Sequence, residues 1–164
     1  MECKELDPSI ASSTIVQNSS LNVLFLRGAL AMLESDAPRI LIVEDDVGVV
    51  AGLVRGLHRA GFETSLSMAG DEGLARILNE PFDLVLLDLM LPERTGLEII
   101  HAVRSRVSVP IMILSALSDL ESRLASFEGG AVDFVPKPFF LEELIARIRT
   151  RLAIKSVAPN RGVG

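Results

Sequence analysis

Between residues 39 and 154 five short apolar runs alternate strictly with segments whose hydrophobic residues are spaced for a helix. The run Leu84–Leu87 (LVLL) has no polar alternation at all, the pattern of a strand buried on both faces. Strands are expected at 39–43 (RILIV), 62–66, 84–87, 111–114 and 131–135, with 62–66 at an edge. Helices are expected at 47–60, 71–79, 96–104, 118–128 and 141 to about 154, Gly61 and the Gly129–Gly130 pair ending two of them. Such alternation argues for a doubly wound α/β domain, a parallel sheet with helices on both faces. One domain over 38–155 accounts for all five units. Residues 1–37 read as an N-terminal extension, partly disordered, and 156–164 as a tail or the start of a linker.

Composition narrows the function. The formal charge of −6 argues against direct nucleic-acid contact, which usually needs a basic face. Seven Phe and no Trp or Tyr leave no base-stacking platform. A single cysteine, Cys3, excludes a disulfide framework and a cysteine metal cluster, and fits a cytoplasmic location. No apolar run approaches the roughly 20 residues of a membrane span. Residues 21–33 are apolar enough for a short helix, but Arg27 lies inside them and a Ser-rich stretch precedes them. They read as a loosely packed extension or as upstream of a natural start at Met32, in preference to a membrane-surface helix.

Polar residues mark the ends of four strands: Glu44 and Asp45 after the first, Asp88 after the third, Ser115 after the fourth and Lys137 after the fifth. A carboxylate at the end of a buried strand is costly unless something there uses it. In the flavodoxin-like order 2-1-3-4-5 the first and third strands are neighbours, so Glu44, Asp45 and Asp88 converge at the switch point. Carboxylates that close repel unless a cation sits among them, and a hard ion such as Mg2+ suits them better than zinc, which wants His or Cys. Asp can attack phosphorus as a nucleophile, while a lysine and a hydroxyl grip the phosphoryl oxygens. Lysines occur only at positions 4, 137 and 155, so Lys137 stands alone in the body of the domain. Simpler roles fit the remaining polar residues. Asp46 caps the helix that follows, Asp83 serves the loop before its strand, and His58 and His101 sit on helices with no second ligand.

The motifs ILIVEDD, FDLVLLDLMLPERTGLE, VPIMILSA and VDFVPKPF, in this order and spacing, resemble the receiver domain of bacterial two-component response regulators. The resemblance covers about residues 38–155 and is nearest to the OmpR/PhoB-like branch. It implies the CheY-like form of the fold, and Mg2+ held by the acidic pair Glu44 and Asp45, by Asp88 and by the Met90 carbonyl. It implies Asp88 as phosphoacceptor, Ser115 as switch hydroxyl, Lys137 as the phosphoryl contact, Phe134 as the aromatic switch and a cis Lys137–Pro138 bond. The positions that influence the hydrolytic water in the family are here the apolar Met90 and Leu117, so slow autodephosphorylation is expected. A sensor histidine kinase is the implied phosphodonor. A homodimer through the 118–155 face is implied by Arg123, Glu128, Asp133, Glu143 and Arg147, although Val132 stands where an acid is usual. That branch continues into a winged-helix DNA-binding domain; with only a short tail after 155, this chain is expected to be a stand-alone receiver or one parted from its output domain. The whole is a phosphoprotein of signal transduction, not an enzyme with turnover. Three alternative readings fit less well, of which flavin binding on the same fold lacks a suitable phosphate loop and stacking aromatics. A phosphatase of the haloacid-dehalogenase type wants a second acid where Met90 stands, and a degenerate receiver acting by contacts alone would not need the intact acid–lysine set.

Overall fold

The computed structural model describes residues 36–117 and 119–157, without the side chains of 155–157. The expected helix at 21–33, the Met32 start, Cys3, Ser118 and the end of the tail lie outside the described residues. Five strands, β1 (Arg39–Val43), β2 (Glu63–Ser67), β3 (Leu84–Leu87), β4 (Ile111–Ser115) and β5 (Asp133–Pro136), form one sheet in the order β2-β1-β3-β4-β5. Every neighbouring pair is parallel. The helices between and after them are α1 (Val47–Arg59), α2 (Gly70–Asn79), α3 (Gly96–Val103), α4 (Leu120–Glu128) and α5 (Leu141–Val157). This is the doubly wound fold that the alternation implies, with β2 at an edge.

Strand side chains alternate between two cores because successive Cβ atoms point to opposite faces. Leu41, Val43, Val85, Leu87, Ile111 and Ile113 pack with Ile77 of α2 and Ile99, Ile100 and Val103 of α3. Ile40, Ile42, Leu84, Leu86, Met112 and Leu114 pack on the other face with Leu53 and Leu57 of α1 and Leu144 and Ile148 of α5. Both faces of β3 are therefore dry, which is why LVLL carries no polar residue. Helix α4 contributes least: Ser126 is its one buried residue, while Leu120, Leu124 and Phe127 face outward.

Element ends shift where caps intervene. Asp119 lies outside the first turn of α4; it is the N-cap, its carboxylate accepting the Ser122 N–H at 2.8 Å. Asp46 caps α1 in the same way through the Val49 N–H at 3.0 Å. Strand β5 begins at Asp133, two residues later than expected. Ala131 is taken by the turn that closes α4: its N–H donates to the Ser126 carbonyl at 3.0 Å while Gly130, at φ +104, donates to Phe127. Helix α5 runs to Val157, three residues past its expected end, since nothing before Pro159 breaks it.

Candidate functional site

The site lies at the C-terminal edge of the sheet. Register pairs Val43 with Leu87, so the residues that follow both strands emerge side by side. The Asp88 N–H still donates to the Val43 carbonyl at 3.0 Å, which ties the two strand ends together at that point. Glu44, Asp45 and Asp88 each offer an oxygen within 4.8 Å of the others. Glu44 and Asp88 are buried and Asp45 is exposed, so the cluster opens to solvent on one side.

Lys137 completes it. Its Nζ lies 2.5 Å from Glu44 Oε2 and 2.6 Å from Asp88 Oδ2. It reaches them from the end of β5, where its N–H donates to the Ser115 carbonyl at 2.8 Å and the Lys137–Pro138 peptide is cis. The ammonium sits between two buried carboxylates and offsets part of their mutual repulsion. Burial pushes the Glu44 carboxyl above its usual range against the pull of the Lys137 hydrogen bond. Burial alone would lower the Lys137 pKa, but hydrogen bonds to Asp88 and Glu44 and their negative charges hold it above the ordinary lysine value.

The other expected residues surround this core. Asp88 Oδ1 accepts the Met90 N–H at 3.1 Å, and the Met90 side chain is exposed. Ser115 is fully buried, and its hydroxyl oxygen accepts the Leu117 N–H at 3.2 Å. Phe134 is buried in the core, with the Arg123 guanidinium 5.7 Å from its ring centroid. Asp83 accepts the Arg39 N–H at 2.9 Å, as a residue serving its loop should. His58 and His101 are exposed and distant in role; His58 shares a hydrogen bond with Thr64 at 3.1 Å.

Residues 40–149 match the family described as the response regulator receiver domain. The chain belongs to that family. The receiver is 40% identical over 117 residues to the transcriptional regulatory protein PrrA of Mycobacterium leprae, covering 71% of this chain and 50% of that protein. It is 40% identical over 114 residues to the response regulator ArlR of Staphylococcus saprophyticus, covering 70% and 52%. The receiver thus spans about half the length of the curated relatives it matches. Among solved structures, a CheY-like receiver domain protein from Methanospirillum hungatei superposes with a TM-score of 0.70 at 30% identity, covering 74% of this chain and 98% of that one. DrrB of Thermotoga maritima, described as an OmpR/PhoB homolog, superposes at 0.65 with 34% identity, covering 73% and 54%. The resemblance to the OmpR/PhoB-like branch agrees with that description.

One contributor to the receiver's site escaped the sequence reading. Gly96 reads from sequence only as the end of a loop and the start of a helix, yet a Cβ there would lie 2.2 Å from the Asp88 carbonyl oxygen. Its N–H donates to the Leu89 carbonyl at 3.0 Å, folding the loop back beneath the acceptor. Equally hidden from sequence is the pairing of Arg94, in the loop after β3, with Asp71, 23 residues away and without a shared local motif.

Proposed function

We propose that this receiver accepts a phosphoryl group on Asp88 and thereby switches a protein-interaction face. The observation that carries the reading is the single lysine joining Asp88 and Glu44, with Asp45 close by and open to solvent. An Asp88 oxygen attacks phosphorus, the new P–O bond forms in line with the bond to the donor, and that bond breaks with its electron pair leaving on the donor. Lys137 then gives up part of its contact with Asp88 to a phosphoryl oxygen. The Ser115 hydroxyl has its proton available to donate to another, while its oxygen is held by Leu117.

The donor set fits Mg2+: hard carboxylate oxygens from three residues, with access for water beside Asp45. When bound, Mg2+ would neutralise the incoming charge. Glu44, Asp45, Asp88 and the Met90 carbonyl would hold it. The test is intact mass after incubation with Mg2+ and a small phosphodonor. Gain of one phosphoryl group supports the switch; no gain under any condition leaves a receiver acting by contacts alone.

The partner is a sensor histidine kinase, and the location cytoplasmic. An apolar groove of about 550 Å³ beside Lys137, bordered by Gly48, Gly52, Ala116, Phe139 and Leu141, gives such a partner a surface next to the acceptor. Among the described residues no helix is long and apolar enough to cross a membrane. The switched face is that of α4, β5 and α5, where exposed Leu120, Leu124 and Phe127 lie near a network of charges. Asp133 binds Arg147 at 3.1 Å and Arg151 at 3.3 Å, and Arg147 also binds Glu143 at 2.8 Å. These charges are satisfied within one chain and exposed pairs contribute little, so a homodimer through this face is weak until phosphorylation repacks it.

The phosphorylated form is expected to be long-lived. Exposed Met90 and half-buried Leu117 flank the acceptor without a side-chain group that can orient an attacking water. Following the loss of the phosphoryl mass with time checks this; a half-life of seconds would overturn it.

A further inference from the structure

We propose that the start of α2, through Gly70 and Asp71, is a positioning brace that sets the Met90 carbonyl against the acidic pair. The inference rests on the Mg2+ reading above and goes beyond it, because neither residue touches the acceptor.

The loop from Leu89 to Thr95 carries Met90 and is exposed at its tip, where Glu93 adopts φ +68 and the Arg94 N–H turns back to the Pro92 carbonyl at 2.8 Å. Helix α2 seizes that tip in three ways. The Gly70 N–H donates to the Pro92 carbonyl at 3.1 Å. Arg94 Nε binds Asp71 Oδ1 at 2.5 Å. The Arg94 carbonyl oxygen approaches so closely that a Cβ on residue 70 would lie 2.0 Å from it. One turn on, a Cβ on Gly73 would lie 2.5 Å from Val43 Cγ1, so the same helix rests directly on the last residue of β1, next to Glu44. A closed path results: from the acidic pair to Val43, through α2, to the tip of the loop, and back to Met90 and Asp88. The metal ligands supplied by β1 and by the β3 loop are thus held to one another from outside the site as well as across it.

The Arg94 and Asp71 side chains are 38% and 56% exposed, so their pairing contributes little to global stability. Its effect belongs in metal affinity, which depends on ligand placement. That separation makes the brace testable by titrating Mg2+ into the full chain, followed by amide chemical shifts, with thermal unfolding in parallel. The wild type is compared with Asp71→Asn, Arg94→Gln, the reversed pair Asp71→Arg with Arg94→Asp, and Gly70→Ala. Each single charge variant is expected to unfold near the wild-type temperature but to bind Mg2+ roughly three-fold more weakly, the scale of one exposed ion pair. The reversed pair should recover most of that loss. Gly70→Ala should lose more than either, because it drives the loop away from α2. Charge variants with wild-type Mg2+ affinity would overturn the brace. So would weakened affinity that the reversed pair does not restore. A wild type that binds no Mg2+ would remove the metal reading itself and the brace with it.

Discussion

Asp88→Asn is expected to abolish phosphoryl gain while the protein stays folded. The amide is nearly isosteric and keeps an oxygen to accept the Met90 N–H, now 3.1 Å from Asp88 Oδ1. What it lacks is an anionic oxygen with the nucleophilicity to attack phosphorus. The loss of charge has two opposing effects on stability. The contact with Lys137 at 2.6 Å weakens, but the repulsion among three carboxylates gathered within 4.8 Å also falls. Stability therefore changes little, and failure to phosphorylate cannot be blamed on unfolding. Intact mass with Mg2+ and a small phosphodonor, beside a thermal melt, reads both. A variant that still gains the phosphoryl group would move the acceptor to another side chain, and Asp45 would be the first to replace.

Lys137→Ala carries the largest expected loss of stability. Glu44 and Asp88 are both buried, and the ammonium 2.5 and 2.6 Å away is what makes their charge tolerable. Removing one member of a buried ion pair typically costs about 3–5 kcal/mol because the partner is left uncompensated. Here the lower end is expected, since burial already raises the Glu44 pKa and that carboxyl can take up a proton to relieve the strain. Mg2+ should narrow the gap. A cation that binds only the folded state stabilises it by mass action, and in the variant it no longer competes with the lysine for the same oxygens. Urea unfolding of both proteins, in chelator and in excess Mg2+, tests this. Equal stability in chelator would mean that solvent, and not Lys137, screens the acids.

Why these residues were legible is a matter of desolvation. Strands of a parallel sheet covered on both faces read as continuous apolar runs, so RILIV and LVLL announced themselves, and the acids that broke them were conspicuous because charge is costly there. Glu44, Asp45 and Asp88 stood out in this way, and the flavodoxin-like order 2-1-3-4-5 then placed the ends of the first and third strands side by side at the switch point. What stayed hidden was pairing at a distance. Nothing local in TSLSMAGDEG says that Asp71 will meet Arg94, or that residue 70 must lack a side chain for the acceptor loop to pass. Element ends were misjudged where capping groups compete with the main ladder: Asp119 and Ala131 each serve the ends of α4 by hydrogen bonds that hydrophobic spacing does not report. Phe134 shows a third limit. An aromatic in VDFV is compatible with either side of a strand, and only the packing beneath α4 puts it inside.

Helix α4 is seated on a single buried serine, with its leucines and phenylalanine already in water. Re-seating it exposes little more of its own apolar side chains, because Leu120, Leu124 and Phe127 are exposed already. An alternative seat for a helix so lightly held is expected to lie within a few kcal/mol, a gap that would populate a minor state at roughly 0.1–10%. A minor population of that kind would be set by how α4 packs and would be present before any modification of Asp88. Any bulkier residue at Ser126 would tune that population without touching the chemistry.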